Sequence, residues 1–271
     1  MSLPPAGPTR TALVTGASSG IGAEIASQLA SRGYGVTLVA RRIDRLEALA
    51  GRLAESHGIR AEVVAADLTD EEARTAVISE IDRRGLVVNM LVNNAGFSTA
   101  GPVARAQVAG ELAMVRTDVE AVVHLCTALL PGMVERRSGA ILNVASTAAF
   151  QPVPGQAGYG ASKAFVLSYT HALRAELAGS GVSVTALCPG PVATGFASAA
   201  GLSDTDAAAA LPSFLWVPAE RVASAAVEGL ETGRAVVIPG AGNKLSAAAG
   251  WLTPRTLLLP VLAKRHPAMH P

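Results

Sequence analysis

Ser146, Tyr159 and Lys163 are the residues whose types and spacing point most directly to chemistry. Tyr159 and Lys163 stand four apart in a helical pattern and therefore share a face. A free phenol, with a pKa of about 10, is a poor base at neutral pH. An ammonium beside it favours the phenolate and draws that value toward the working range. Ser146 follows an apolar run and can hydrogen-bond a substrate oxygen while Tyr159 exchanges its proton. A Tyr-x-x-x-Lys pair alone reads as an ordinary surface pair. The serine at a strand's end and a glycine-rich turn upstream change that reading.

The turn is Thr15-Gly16-Ala17-Ser18-Ser19-Gly20-Ile21-Gly22, between the first strand-like run and the first helical pattern. Gly16 permits the sharp turn, and Gly20 lets the backbone approach a pyrophosphate. Gly22 lets the helix pack on the sheet, and the first helical N–H groups, from Ile21 onward, face the anion. Ser18 and Ser19 either donate to phosphate oxygens or cap the helix. A carboxylate at the end of the second strand would hold the ribose of NAD, but the chain reads Ala40-Arg41-Arg42, with no acid before Asp44. Two guanidiniums there match a 2′-phosphate, which favours NADP(H) over NAD(H). Asp67, after the third strand, can accept from an adenine amino group or cap the next helix, a post that Thr69 fills better. Asn93-Asn94-Ala95-Gly96 ends the fourth strand, where Asn94, Ala95 and Gly96 can bracket an adenosine ribose or stabilise the centre of the sheet.

The elements that must position these groups alternate along the chain. Strand-like runs cover 11–15, 36–40, 61–65, 90–93, 140–144, 183–187 and 235–238, several apolar almost throughout. Helical patterns lie near 20–32, 44–57, 70–84, 107–135, 157–179 and 218–231. Such alternation implies right-handed crossovers and an α/β, Rossmann-type, doubly wound parallel sheet with helices on both faces. With 271 residues and no linker, repeat or charge run, one domain over 1–271 is expected, its core in 10–240. Half the residues are hydrophobic, which excludes disorder. A net charge of +1 gives no global field toward nucleic acid or anionic lipid. Cys126 and Cys188 form no disulfide framework, and no metal-ligand spacing occurs, so no metal is expected. Met1 to Thr9 carries three prolines and no apolar signal run, and no charge-free stretch is unbroken enough to span a bilayer, so a cytoplasmic protein without stable membrane insertion is expected.

Together these motifs resemble the short-chain dehydrogenase/reductase family of compact, single-domain type, from Thr11 to Ile238, with Pro189-Gly190 and Thr194 completing the pattern. The resemblance implies about seven strands and hydride transfer between a nicotinamide and a carbonyl or secondary alcohol. It makes Tyr159 the acid/base, with Ser146 orienting the substrate oxygen. It has Lys163 lower the Tyr159 pKa and hold the nicotinamide ribose, and it puts Pro189, Gly190 and Thr194 at the nicotinamide end. Arg41 matches the phosphate-binding position of NADP-preferring members. The family usually has an asparagine in the long helix after Asn93–Gly96, whose backbone carbonyl completes a proton relay; aligning on Leu129–Met133 puts Asp118 there. Its added negative charge would oppose the lowering of the Tyr159 pKa.

Residues 188–212 form a long connection, extending to 215 as a substrate lid region, and Phe150, Phe196, Leu202, Leu211, Phe214, Leu215 and Trp216 suit an apolar substrate of some size. The extension 241–271 reads as a packed or subunit-contacting helix, since Pro254 and Pro260 argue against a membrane-surface helix. Helix 107–135 is apolar on more than one face, which suits a partner subunit, and the family resemblance implies a homodimer or homotetramer. His124 and His171 have no partner acid at useful spacing, and nothing near Cys188 would activate its thiol. Two alternatives stand beside the oxidoreductase. A nucleotide-sensing binding protein on this scaffold has no need of Ser146, Tyr159 and Lys163, and an isomerase or dehydratase sharing the cofactor usually has a longer chain and another glycine spacing.

Overall fold

Strand residues in this chain alternate between two cores, which is why the strands are apolar almost throughout. In the computed structural model, which describes residues 3–196, 211–265 and 267–269, Ala12 and Val14 pack with one cluster of buried side chains and Leu13 between them packs with the other. Seven strands, β1 (Arg10–Thr15), β2 (Gly35–Ala40), β3 (Ala61–Ala65), β4 (Val87–Asn93), β5 (Gly139–Val144), β6 (Val182–Leu187) and β7 (Val236–Val237), form one sheet in the order β3-β2-β1-β4-β5-β6-β7. Every pair is parallel. Each connection must therefore cross over the sheet, and the expected Rossmann-type doubly wound arrangement results.

One face is covered by α1 (Gly20–Ala30), α2 (Ile43–His57) and α7 (Ala219–Glu231), which contribute Ile25, Leu29, Leu46, Leu53, Val222 and Leu230. The other is covered by α3 (Glu71–Arg83), α5 (Ala121–Glu135) and α6 (Ala157–Glu176), through Val77, Ile81, Leu125, Met133, Val166 and Leu173. The apolar pattern over 107–135 is not one regular helix. α4 (Val108–Val115) passes through a π-helical turn, Arg116–Glu120, before α5, and the Ala121 N–H reaches back five residues to the Arg116 carbonyl. The extra residue changes which side chains face inward and buries Thr117 and Asp118. The whole span is long and apolar enough by composition to cross a membrane, yet Leu125, Cys126 and Met133 sit in the core with Leu91 and Ile141. Val108, Leu112 and Val134 stay exposed on its outer side.

Other details depart from the sequence reading. The cap of α3 is Asp70, whose carboxylate accepts from the Glu72 N–H, and not Thr69, which spends its hydroxyl and N–H on Asp67. The extension after β7 forms two helices, α8 (Ala241–Leu252) and α9 (Arg255–Arg265), with Pro254 just outside the second. Much of the 188–215 region, Leu202 included, lies outside the described residues.

Between β4 and β5 the sheet carries a buried amide pair. Asn93 donates Nδ2 to Asn143 Oδ1 at 2.9 Å, and Asn143 donates Nδ2 to Thr170 Oγ1 at 3.0 Å. Asn143→Ala leaves the Asn93 donor without that acceptor, so a loss of about 1–3 kcal/mol is expected. A urea titration showing a lower midpoint at unchanged slope checks this, and an unmoved midpoint would sink it.

Candidate active site

In a parallel sheet the carboxyl ends of all strands point the same way, and the crevice opens where the chain reverses direction across the sheet. Here that place lies between β1 and β4, and the loops after both strands lock together. The Thr15 hydroxyl accepts from the Asn94 and Ala95 N–H groups, each at 3.0 Å, and Asn94 Nδ2 donates to the Thr15 carbonyl at 2.9 Å. Gly16 has φ +65°, and a Cβ on it would lie 2.8 Å from the Ala95 Cα and from Asn94 Nδ2. Only glycine fits, because the conformation is left-handed and the space is taken by backbone. Asn93 turns instead into the sheet, where it also donates to Cys126 Sγ at 3.3 Å. Of the two readings of this asparagine motif, stabilisation of the sheet's centre is the one these contacts display.

Around the glycine turn the two arginines separate. Arg42 donates through Nη2 to Ser18 Oγ at 2.7 Å and Ser19 Oγ at 2.8 Å, so neither serine caps α1 with its side chain. Arg41 projects outward with its guanidinium 3.9 Å from the Asp67 carboxylate. Burial, followed by the charges of Arg45 and Arg41, holds the Arg42 guanidinium below its ordinary range. The turn's open glycine backbone and the start of α1 suit a dinucleotide phosphate chain, and this guanidinium stands beside them. Thr194 lies over Gly20, whose Cβ would come within 3.0 Å of it, so the 188–196 segment borders the same cradle.

The second half of the site is assembled by β5, α6 and the π turn. Ser146 leaves β5 and caps a short 3-10 turn, Thr147–Phe150, its Oγ accepting from the Ala148 N–H at 3.1 Å. Tyr159 and Lys163 lie on one face of the first turns of α6, with Nζ 5.6 Å from the phenol ring centre. The Lys163 ammonium is buried and donates to the Val144 carbonyl at 3.2 Å. Its counter-charge is Asp118, fully buried, with Oδ2 3.0 Å from Nζ. That approach is poorly aligned as a hydrogen bond, and attraction between charges holds it. Oδ1 of Asp118 accepts from the Phe97 N–H at 3.1 Å. Gly96 roofs the pair: a Cβ there would lie 2.8 Å from Asp118 Oδ1 and 3.1 Å from Lys163 Nζ.

The electrostatics follow from this packing. Burial pushes the Tyr159 phenol up, the Lys163 ammonium and the Ser146 hydroxyl pull it down, and the Asp118 carboxylate pushes it up again. The balance lies above the ordinary phenol value. Burial works against the Lys163 ammonium, but Asp118 and Tyr159 hold it above its usual range. Burial raises Asp118 despite Lys163 and the Phe97 N–H. Ser146, Tyr159 and Lys163 thus lie close together, and Asp118, whose place came from the family resemblance, meets Lys163. Phe196 packs its ring against Tyr159 at 5.6 Å. Cys188 and Cys126 are buried, with thiols pushed up to about 12, which leaves them unreactive. Two participants escaped the sequence reading. The Phe97 N–H is a backbone group without a motif, and Asn243 of α8, buried beneath Gly190, donates to the Leu215 and Pro239 carbonyls.

The sequence model described as short chain dehydrogenase matches residues 10–204. Sulfoacetaldehyde reductase 2 of Chromohalobacter salexigens is 40% identical over 68% of this chain and 73% of its own length. A short-chain dehydrogenase from Sphingobium yanoikuyae, solved with NADPH, superimposes with a TM-score of 0.79 at 35% identity, covering 93% of this chain and 95% of that one. A 3-ketoacyl-(acyl-carrier-protein) reductase from Brucella melitensis, solved with NADH, gives a TM-score of 0.77 at 28% identity over 86% and 98%.

The buried pair makes a prediction independent of turnover. Lys163→Met strands the Asp118 carboxylate and should destabilise the fold by about 3–5 kcal/mol. Adding Asp118→Asn should recover most of the loss. Urea unfolding of the two single variants and the double variant checks this, and additive losses would mean the two groups are not a pair.

Proposed function

Given that the chain belongs to the short-chain dehydrogenase/reductase family, we propose that it is an NADP(H)-dependent reductase of apolar carbonyl compounds with Tyr159 as its proton donor. Members are oxidoreductases acting on alcohol and carbonyl groups through a nicotinamide dinucleotide, and this chain is one of them. The observation that carries the finer reading is the convergence of Ser146, Tyr159, Lys163 and Asp118 at the carboxyl end of the sheet, beside a glycine turn shaped for a phosphate chain.

The bound dinucleotide supplies the hydride for the carbonyl carbon. Tyr159 Oη gives its proton to the carbonyl oxygen, so the C=O bond becomes C–H and O–H, and alcohol oxidation runs the same exchange backward. Ser146 Oγ, held at the mouth of β5, orients that oxygen. Lys163 stabilises the phenolate left on Tyr159 and would hold the nicotinamide ribose, with Pro189, Gly190 and Thr194 beside the ring. Gly16 to Gly22, with Ser18, Ser19 and Ile21, would receive the phosphates. Asn94, Ala95, Gly96 and Asp67 would flank the adenosine half. Arg42, gripped by both turn serines, is best placed for a 2′-phosphate, and Arg41 supports it from the rim. Phe196 packs on Tyr159 and Phe150 follows Ser146, and Phe214, Leu215 and Trp216 would extend this apolar surface; Leu211 to Trp216 lies beyond the segment shared with the family model. The whole chain would act as one domain. It would pair as a homodimer or homotetramer through the exposed Val108, Leu112 and Val134 of the α4–α5 face. Its buried, unreactive thiols suit the reducing cytoplasm.

A phenol raised above its usual value is protonated at neutral pH, which favours reduction there, whereas oxidation needs the phenolate and should gain as pH rises. Asp118→Asn removes a charge that pushes Tyr159 up, so both limbs of the pH–rate profile should move to lower pH. Superimposable profiles would refute that role for Asp118. Tyr159→Phe should lower kcat by about 10²–10⁴-fold with NADPH binding retained, and full turnover in that variant would overturn the assignment. Arg42→Ala should raise the KM for NADPH by about 10- to 100-fold and leave that for NADH nearly unchanged. Rates over ketones graded by chain length, set against sulfoacetaldehyde, test the substrate class.

A further inference from the structure

Gly190 stands in the Pro189-Gly190-Pro191 loop that follows β6, and its lack of a side chain is a matter of space. Its φ lies outside the left-handed region, so another residue could adopt this backbone. A Cβ there would instead fall inside the amide of Asn243, with Oδ1, Cγ and Nδ2 as its three nearest atoms. Asn243 belongs to the first turn of α8, beyond the segment 10–204 shared with the family model, and is 1% exposed.

That amide is not free to turn aside. It donates Nδ2 to two backbone carbonyls, Leu215 at 3.0 Å and Pro239 at 2.9 Å. A buried amide that gave up these bonds would have no water to replace them. Neighbouring glycines let the chain close around it. A Cβ at Gly240 would lie 3.2 Å from Asn243 Nδ2, and one at Gly242 would lie 2.6 Å from the Phe214 ring. The loop itself is held at both flanks. The Pro189 carbonyl accepts from the Thr147 N–H at 2.9 Å, beside Ser146, and the Pro191 carbonyl accepts from the Val217 N–H at 3.1 Å. Its prolines have no N–H with which to anchor themselves. Between those flanks the Gly190 Cα rests on Asn243. One side chain thus joins the exit of β6, the end of β7 and the apolar segment around Leu215.

We propose that Asn243 is a positioning residue for hydride transfer, whose amide seats the Pro189–Pro191 loop and the Leu215 segment as one unit. The inference rests on the reading that places Gly190 beside the nicotinamide ring. An asparagine with only a structural task would satisfy two carbonyls and leave the loop to itself. The contact at Gly190 adds a seat, and the height of that seat sets where the ring can lie. Rate is sensitive to such placement, since a shift of about 1 Å can cost about 10²-fold. Affinity is less so, because the glycine turn and the start of α1 would take the phosphates.

The emission lifetime of NADPH tests this without turnover, because it lengthens when the reduced nicotinamide is held still. With the full-length protein and saturating NADPH, Asn243→Ala should shorten the lifetime toward that of free NADPH. Its kcat should fall about 10- to 100-fold, while the NADPH dissociation constant changes by less than about threefold. Gly190→Ala reaches the same contact from the loop and removes neither donor. It should show the same split, and it decides the matter if Asn243→Ala fails to fold. The double variant should lose less urea stability than the two single losses summed, because the methyl group takes space that the amide has left. Its lifetime and kcat should nevertheless stay low. Unchanged lifetime and kcat in Asn243→Ala overturn the proposal, as does a dissociation constant that rises as far as kcat falls. Recovery of both in the double variant would show that filling the space is enough, and would overturn it too. An unsubstituted protein that lengthens the lifetime yet oxidises no NADPH with any carbonyl would instead count against the reading of Tyr159, and the lifetimes would still decide on Asn243.

Discussion

A lysine ammonium enclosed by protein must have its charge answered nearby, and that requirement organises the centre of this molecule. Lys163 is answered by Asp118, which itself has no solvent and depends on Lys163 and one backbone N–H. Three separate pieces of chain are bound to this demand. α6 must start at a register that points Lys163 and Tyr159 the same way. The helix after β4 must deliver Asp118 inward, which it does through the π turn at Arg116–Glu120. The loop from Asn93 to Phe97 must pass over both groups with no side chain at position 96. An error in any of the three would leave a buried charge alone, at a cost several times that of an ordinary surface change.

The same pair sets the chemistry. Had Lys163 stood alone beside Tyr159, its whole field would favour the phenolate. With Asp118 3.0 Å from Nζ, part of that field is cancelled at the ring, and the phenol keeps its proton further up the pH scale. The carboxylate therefore trades basicity of Tyr159 for a stronger hold on the lysine. Under the proposed role of Tyr159 as proton donor that trade favours reduction, because the donor form is the acid. The glycine turn on the other side of the crevice owes its shape to a different constraint, the grip of Asn94 and Thr15 on the backbone around Gly16.

The strands and most helices were legible because both faces of the sheet are covered, so a strand must be apolar at every position and stands out against amphipathic helices. The grouping of Ser146, Tyr159 and Lys163 was legible because a strand end and a four-residue helical spacing fix relative positions without tertiary knowledge. What stayed hidden depends on contacts between distant segments. The π turn leaves no mark in an apolar run that reads equally well as continuous helix. The choice of Asp70 over Thr69 as the α3 cap turned on Asp67 claiming the threonine first. Likewise, adjacent arginines look equivalent in sequence, and only the fold shows Arg42 held by Ser18 and Ser19 while Arg41 leans on Asp67.

Net charge illustrates why averages over a chain mislead about partners. A Debye length at physiological salt is about 8 Å, so a surface responds to the charges within its own patch and hardly at all to the total. Here a total of +1 is compatible with a guanidinium cluster beside the glycine turn and an acid-free run of sequence from Pro239 onward. Both patches are cationic, but they differ in what accompanies the charge. Around Arg42 stand small hydroxyls and open backbone, which suit one compact phosphate. Around Arg255 stand the Gly250 and Phe150 carbonyls, which take two of its donors and tie it into the fold. The neighbours of a charge, more than the charge, decide which anion it can hold.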